Sequence, residues 1–224
     1  CLGRRIVYHV NPLDARISGD LCETHGVTLI VATPTFIRTY IKKCAPSKFK
    51  TLVHLLVGAE KLKPELCQEV RDALGLDPLE GFGCTELSPV ISVNVLHELT
   101  RPDGRTVPGN RLGTVGMPLP DVHVRIVESE DGQTPVPQGE VGEIVIKAPQ
   151  LMQGYWQKPD ETREMIRTND RGERLLDTGD LGYLDEDGYV FIVDRKKDLI
   201  KTSGFQVWPR EIEEVISAHP AVFE

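Results

Sequence analysis

Residues 27–44 read VTLIVATPTFIRTYIKKC. The first six form a short, nearly continuous apolar run, the pattern of a strand buried on both faces. Thr33 can then cap a helix, and Pro34 fits its first position. The same alternation continues on either side. ARISGDLCETHG, before it, ends on Gly26 as a helix stop. LVHLLVG (52–58) reads as a second buried strand. KPELCQEVRDALG then spaces Leu66, Val70 and Leu74 four apart, with Gly75 as its stop. Strand–helix alternation predicts a parallel sheet covered by helices. Residues 1–112 are therefore expected to be part of a doubly wound α/β subdomain.

The pattern changes near Gly113. VHVRIVE places Val122, Val124 and Ile126 on one face, and GEIVIK does the same with Ile144 and Ile146. YLDEDGYVFIV reads as a hairpin turning at Asp187-Gly188. Residues 113–193 are thus expected to be an antiparallel β-rich subdomain. After Val193, DRKKDLIKTSGFQV is dense in charge, and PREIEEVISAH reads as a helix with Ile212, Val215 and Ile216 on its apolar stripe. Residues 194–197 are expected to be a hinge, and 198–224 the start of a small α+β C-terminal domain. The chain opens on Cys1 and closes just after that helix, so it reads as an internal piece of a longer protein.

Composition narrows the function. The chain has 224 residues, 27% of them charged, and a formal net charge of -8. Nucleic-acid-binding domains carry a basic face, so no nucleic-acid partner is expected. An anionic ligand would need local cations here. Cys1, Cys22, Cys44, Cys67 and Cys84 are scattered, odd in number and without a CxxC pair, which suits reduced thiols in the cytoplasm. No HExxH occurs, and no apolar run approaches the ~20 residues of a membrane helix.

EGFGCTE (80–86) alone is a Gly-x-Gly turn after a strand. VGAEKL (57–62), LLDTGDLGYLDEDGY (175–189) and DRKKDLIKTSGFQVWPREIEE (194–214) are each ordinary when taken alone. In this order and spacing they resemble the adenylate-forming superfamily of acyl-CoA synthetases, peptide-synthetase adenylation domains and firefly luciferase. The last stretch carries most of the specificity, at Asp194, Arg195, Lys197, Lys201, Gly204 and Glu211. Within the superfamily, GCTELSPVISVN is most similar to the acyl–acyl-carrier-protein synthetases, including the ligase part of 2-acylglycerophosphoethanolamine acyltransferases.

The resemblance implies a two-step ligase. A fatty acid attacks the α-phosphate of ATP with Mg²⁺ present, giving an acyl-adenylate. A phosphopantetheine thiol, of CoA or acyl carrier protein, then displaces AMP. It implies that Thr85 reaches the α-phosphate and that Glu86 holds the metal. Gly58, Ala59 and Glu60 would pass along adenine and the acyl pocket. Gly81, Phe82, Gly83 and Cys84 would complete that wall, with Phe82 stacking on adenine. Asp180 would bind both ribose hydroxyls, and Arg195 the ribose and phosphate side. Lys197 would be the hinge, Lys201 would serve thioester formation, and Ser203, Gly204 and Phe205 would form the thiol-side loop. The family's phosphate loop and its aromatic-His motif are expected upstream of Cys1, and its adenylation lysine beyond Glu224, so the chain alone is expected to be inactive. Two other readings stay open: a non-catalytic nucleotide-binding module, and an adenylating enzyme for an aryl or amino acid. The bifunctional proteins it resembles work at the cytoplasmic face of a membrane, so membrane association through other parts of the protein is also open.

Overall fold

A computed structural model describes residues 3–101, 103–198, 200–202, 205–207, 209–217, 219 and 221–222. The chain divides into two compact units. The first comprises residues 1–83 and 93–116, the second 84–92 and 117–224.

In the first unit, helix α1 (Ala15–His25) is capped by the Asp14 side chain, which accepts from the Ile17 amide, and stops at left-handed Gly26. Strand β1 (Leu29–Ala32), helix α2 (Pro34–Lys43), strand β2 (His54–Val57), helix α3 (Pro64–Leu74) and strand β3 (Pro78–Gly83) follow in order. The three strands are parallel, with Leu29 opposite His54 and Leu55 opposite Pro78. This is the crossover pattern that the sequence predicts. The core between sheet and helices includes Ile37, Tyr40, Leu55, Val57, Leu66 and Val70. Leu55 and Val57 are 1% and 2% exposed; each such side chain stabilises the fold by about 1.5–3 kcal/mol relative to an exposed one.

Two local expectations differ. β1 is not buried on both faces: Ile30 and Ala32 pack on the helical core, while Val31 is 70% exposed. An apolar run cannot by itself tell a central strand from one with an open face. Thr33 stands at the N-cap of α2 but makes no side-chain cap bond, and its hydroxyl is buried without a partner. Pro34 supplies the helix start instead.

Strand β4 (Val90–Val93) runs from the second unit into the first. A short hairpin, β5 (Leu99–Thr100) and β6 (Thr106–Val107), belongs to the first unit. The second unit begins its continuous stretch with β7 (Met117–Pro118). Its antiparallel sheet contains β8 (His123–Val127), β9 (Gly142–Lys147), β10 (Ile166–Thr168), β11 (Arg174–Leu184) and β12 (Val190–Arg195), in the order β10-β11-β9-β8, with β12 also on β11. Ile144 and Ile146 share a face as expected, but Glu143 and Val145 opposite them are buried too. Helix α4 (Pro159–Met165) precedes β10.

The β11–β12 hairpin forms, and its loop is longer than a two-residue turn. Asp185 accepts from the Asp187 and Tyr189 amides, and Gly188 takes the positive φ. After β12 come a 3-10 turn (Lys196–Asp198), a two-stranded ribbon of β10-like length formed by β13 (Ile200–Thr202) and β14 (Phe205–Val207), and helix α5 (Pro209–Ser217). The apolar stripe of α5 is exposed at Ile212, Val215 and Ile216. No helix among the described residues is long and apolar enough to cross a membrane.

Candidate active site

In the first unit, Gly58–Glu60 and Gly81–Gly83 lie side by side at the ends of adjacent strands. Val57 pairs with Glu80, so Gly58–Glu60 leaves β2 beside Gly81–Gly83 at the end of β3. The backbone crowds there: a Cβ on Gly58 would lie 3.1 Å from the Gly81 carbonyl oxygen, so a side chain would push the two turns apart. Ala59 takes φ 67°, a region non-glycine residues seldom adopt. The turn is held by side chains on either side of it. Thr35 Oγ1 donates to Glu60 Oε2 at 2.7 Å, and Glu80 Oε1 accepts from the Leu62 amide at 3.1 Å. Phe82 is half-buried and Gly83 exposed.

In the second unit, Thr85–Leu87 is a single 3-10 turn anchored by fully buried Leu87. The anchor leaves Thr85 exposed and Glu86 half-buried. Tyr155 Oη donates to Glu86 Oε1 at 2.5 Å. That bond is the main cause holding the Glu86 carboxyl below its ordinary range, with smaller help from its own backbone amide, Cys84 and the Arg195 charge. Cys84 responds in the opposite sense: burial first, then its hydrogen bond to Glu86, pushes the thiol up to about 12. It is a poor nucleophile in that state.

The Thr178-Gly179-Asp180 segment explains how a strand delivers a carboxylate. Asp177 pairs with Val145 and Leu181 with Glu143, so β11 spends four steps where β9 spends two. Gly179, at φ 69°, makes the excursion possible. Thr178 Oγ1 donates to the Ile144 carbonyl at 2.7 Å and accepts from the Asp180 amide at 3.1 Å, closing the bulge. Asp180 is left 4% exposed. Its carboxylate pairs with Arg195 Nε at 2.7 Å. Burial nevertheless dominates and pushes its pKa up to about 6, against the opposing pull of Arg195. A buried carboxylate can accept several hydrogen bonds, so one ion pair leaves capacity for further donors.

The next residue, Lys196, pairs with a second buried carboxylate, Glu143, at 2.6 Å. Lys197 is exposed in the 3-10 turn. Lys201 and Phe205 lie on the β13–β14 ribbon, where only their backbone is described; Ser203 and Gly204 lie outside the described residues. Glu86, Asp180 and Arg195 therefore come together in one unit, and Gly58–Glu60 with Gly81–Gly83 in the other. Sequence reasoning missed Tyr155, Glu143 and Lys196. GYW (154–156), an aromatic pair in a glycine- and proline-bounded loop, was the available signal for Tyr155.

No cluster of three or more His, Cys, Asp or Glu among the described residues could hold a metal. Glu86 fits a cation that keeps several waters and takes one or two carboxylates together with substrate phosphates, as Mg²⁺ does. It is partly exposed and ionised at neutral pH.

Comparison with known proteins identifies the family. The AMP-binding enzyme family model matches residues 1–156. A long-chain-fatty-acid–CoA ligase of Escherichia coli O6:H1 is 42% identical over 146 residues, covering 65% of this chain and 23% of that protein. Its Yersinia pestis counterpart in name is 33% identical over 225 residues, covering 100% of this chain and 37% of its own. The matched segments thus span 23% to 37% of the length of these relatives. Among solved structures, ATP-bound MatB from Rhodopseudomonas palustris aligns with a TM-score of 0.74 and 33% identity, over 94% of this chain and 39% of that one. With more than half of its length matched by the family model, and with a mixed parallel and antiparallel α/β fold shared with these enzymes, the chain belongs to the AMP-binding enzyme family.

Proposed function

We propose that the protein activates a fatty acid with ATP, through an acyl-adenylate, and passes the acyl group to a phosphopantetheine thiol. The observation that carries this reading is Asp180: a carboxylate 4% exposed, raised to about 6 by burial, and met among the described residues by one cation, Arg195. Burying a charge in this way is costly for folding alone. A ribose supplies two adjacent hydroxyl donors, which would complete the carboxylate's hydrogen bonding. Arg195, opposite Asp180 at the end of the neighbouring strand β12, adds local positive charge in a chain whose net charge repels nucleotides.

The first step places negative charge on phosphate oxygens, and fixed donors aimed at that charge lower its barrier. In this reading Thr85 donates to the α-phosphate, and Glu86 holds Mg²⁺. The metal, when bound, would neutralise phosphate charge. Gly58–Glu60 and Gly81–Gly83 offer a backbone surface to adenine, with the half-buried Phe82 ring beside it. Cys84 serves as a structural neighbour of Glu86. Lys197 is the hinge of the whole protein, and Lys201 with the 203–205 loop serves the thiol step.

The names of the Escherichia coli and Yersinia relatives support a fatty acid as substrate and CoA as the thiol. Acyl carrier protein, which presents the same phosphopantetheine, and a working place at the cytoplasmic face of a membrane belong to the proposal as well. The test is ATP–pyrophosphate exchange by the full-length protein with fatty, aryl and amino acids. Exchange driven by fatty acids, rising with chain length to an optimum, is the expected result. Exchange with aryl or amino acids alone would change the substrate class. No exchange from a protein that still binds ATP would replace the ligase with a nucleotide-binding module.

A further inference from the structure

The loop carrying Tyr155 is already tied down without its hydroxyl. The Met152 amide donates to the Glu86 carbonyl at 2.8 Å. Arg174 Nη2 donates to the carbonyls of Met152 and Gln153 at 2.8 and 2.9 Å. The Tyr155 amide donates to Thr162 Oγ1 at 2.9 Å, and that hydroxyl in turn donates to the Lys158 carbonyl at 2.7 Å, at the start of α4. Four backbone groups of the 152–155 segment are thus held by neighbours that owe nothing to the phenol. Among the described residues the phenol makes one polar contact, across 69 positions of sequence, to the side chain of Glu86.

That contact acts on a side chain that needs fixing. Glu86 sits in a three-residue 3-10 turn between exposed Thr85 and buried Leu87. A half-exposed glutamate keeps several rotamers and loses substantial entropy when held in one. A carboxylate has about four lone-pair sites, so a bond from Tyr155 to one oxygen leaves others for a cation.

We propose that Tyr155 is a positioning residue that holds the Glu86 carboxylate in the one rotamer able to take a divalent cation bound with a nucleotide. The proposal rests on the reading of Glu86 as the metal-linked acid. The bond to Tyr155 and the backbone ties around it make a rigid second support, and catalytic carboxylates need such support to stay within tolerance.

The test uses manganese as the cation, read by its electron paramagnetic resonance, on the whole protein with ATP. Three proteins are compared: wild type, Glu86→Gln and Tyr155→Phe. ATP affinity is measured in parallel with EDTA present. We expect Glu86→Gln to lose most manganese binding. We expect Tyr155→Phe to weaken it by about three- to tenfold, in keeping with loss of a hydrogen bond to a charged group, with metal-free ATP affinity unchanged. A merely structural role would lower both affinities together. If Glu86→Gln binds manganese like wild type, the metal reading of Glu86 falls and the proposal falls with it. If Glu86→Gln loses the metal and Tyr155→Phe does not, the proposal alone is overturned. Thr162→Val keeps both ring and hydroxyl but removes the acceptor for the Tyr155 amide. It should give a smaller loss in the same direction, and it serves as the test should Tyr155→Phe fold poorly; unchanged manganese affinity there would overturn the proposal.

Discussion

The turns at Gly58–Glu60 and Gly81–Gly83 and the bulge at Thr178–Asp180 solve different problems with different materials. The first is built from backbone: two parallel strand ends so close that a single Cβ would lie 3.1 Å from a carbonyl oxygen. The second is built from charge: Asp180, 4% exposed, and Arg195 against it. The backbone site responds to added volume, with the Glu60 and Glu80 side chains tying its turn in place. The charged site is fragile to protonation and costs folding free energy even when empty.

The sharpest way to break this contrast is Asp180→Asn. A carboxylate bond to a neutral donor is worth roughly 1.5–3 kcal/mol, so nucleotide affinity should fall about tenfold or more, by calorimetry. Stability should move the other way. Because the folded pKa of Asp180 is raised to about 6 from 3.8, the folded state holds a proton that the unfolded chain releases between those values. Stability therefore declines as pH rises through that window, and the cost is fully present above pH 6. The asparagine variant should lose that slope and gain on the order of 1–3 kcal/mol at pH 7. A variant less stable than wild type at pH 7 would show that the Arg195 pair outweighs desolvation.

Lys196→Met asks whether the neighbouring pair behaves alike. Glu143, 4% exposed, would be left without its cation. Lys196 is partly exposed, so water can replace some of the loss. A drop of about 1–2 kcal/mol in denaturant unfolding is expected, with nucleotide affinity retained. Loss of affinity instead would make both carboxylates one functional unit.

Gly179→Ala should cost about 1 kcal/mol, since φ 69° is open to glycine and strained for alanine. It should also weaken nucleotide binding by shifting Asp180. Gly58→Ala is the mildest. Its φ is ordinary and its neighbour must yield only a few tenths of an ångström, so stability should change by under about 1 kcal/mol. Its effect on affinity should be the same at pH 5.5 and pH 8, unlike that of any change at Asp180.

The fold was legible where its causes are local. The α1 stop at Gly26, the α3 stripe of Leu66 and Val70 and the β1–β3 strands follow from short-range spacing and backbone preference. The exposure of Val31 did not, because burial depends on what a face packs against and not on the strand itself. Glu86, Asp180 and Arg195 were visible through the motifs around them. Tyr155 was not: its hydroxyl meets Glu86 only after the chain has passed through six further strands, β4 to β9, and nothing in a nearby spacing encodes such a meeting.

The detour in β11 has an arithmetic consequence. It adds two residues against β9, an even number. Side chains alternate along a strand, so an odd insertion would have turned Leu181 and everything after it inside out. The even one returns the strand to its partner with inner and outer faces unchanged. Evolution could thus open a gap in the weave for one acid without re-dyeing the rest of the cloth. Removing both extra residues would close the ladder on the β9 side at the cost of the rung in which Asp180 faces Arg195 on β12.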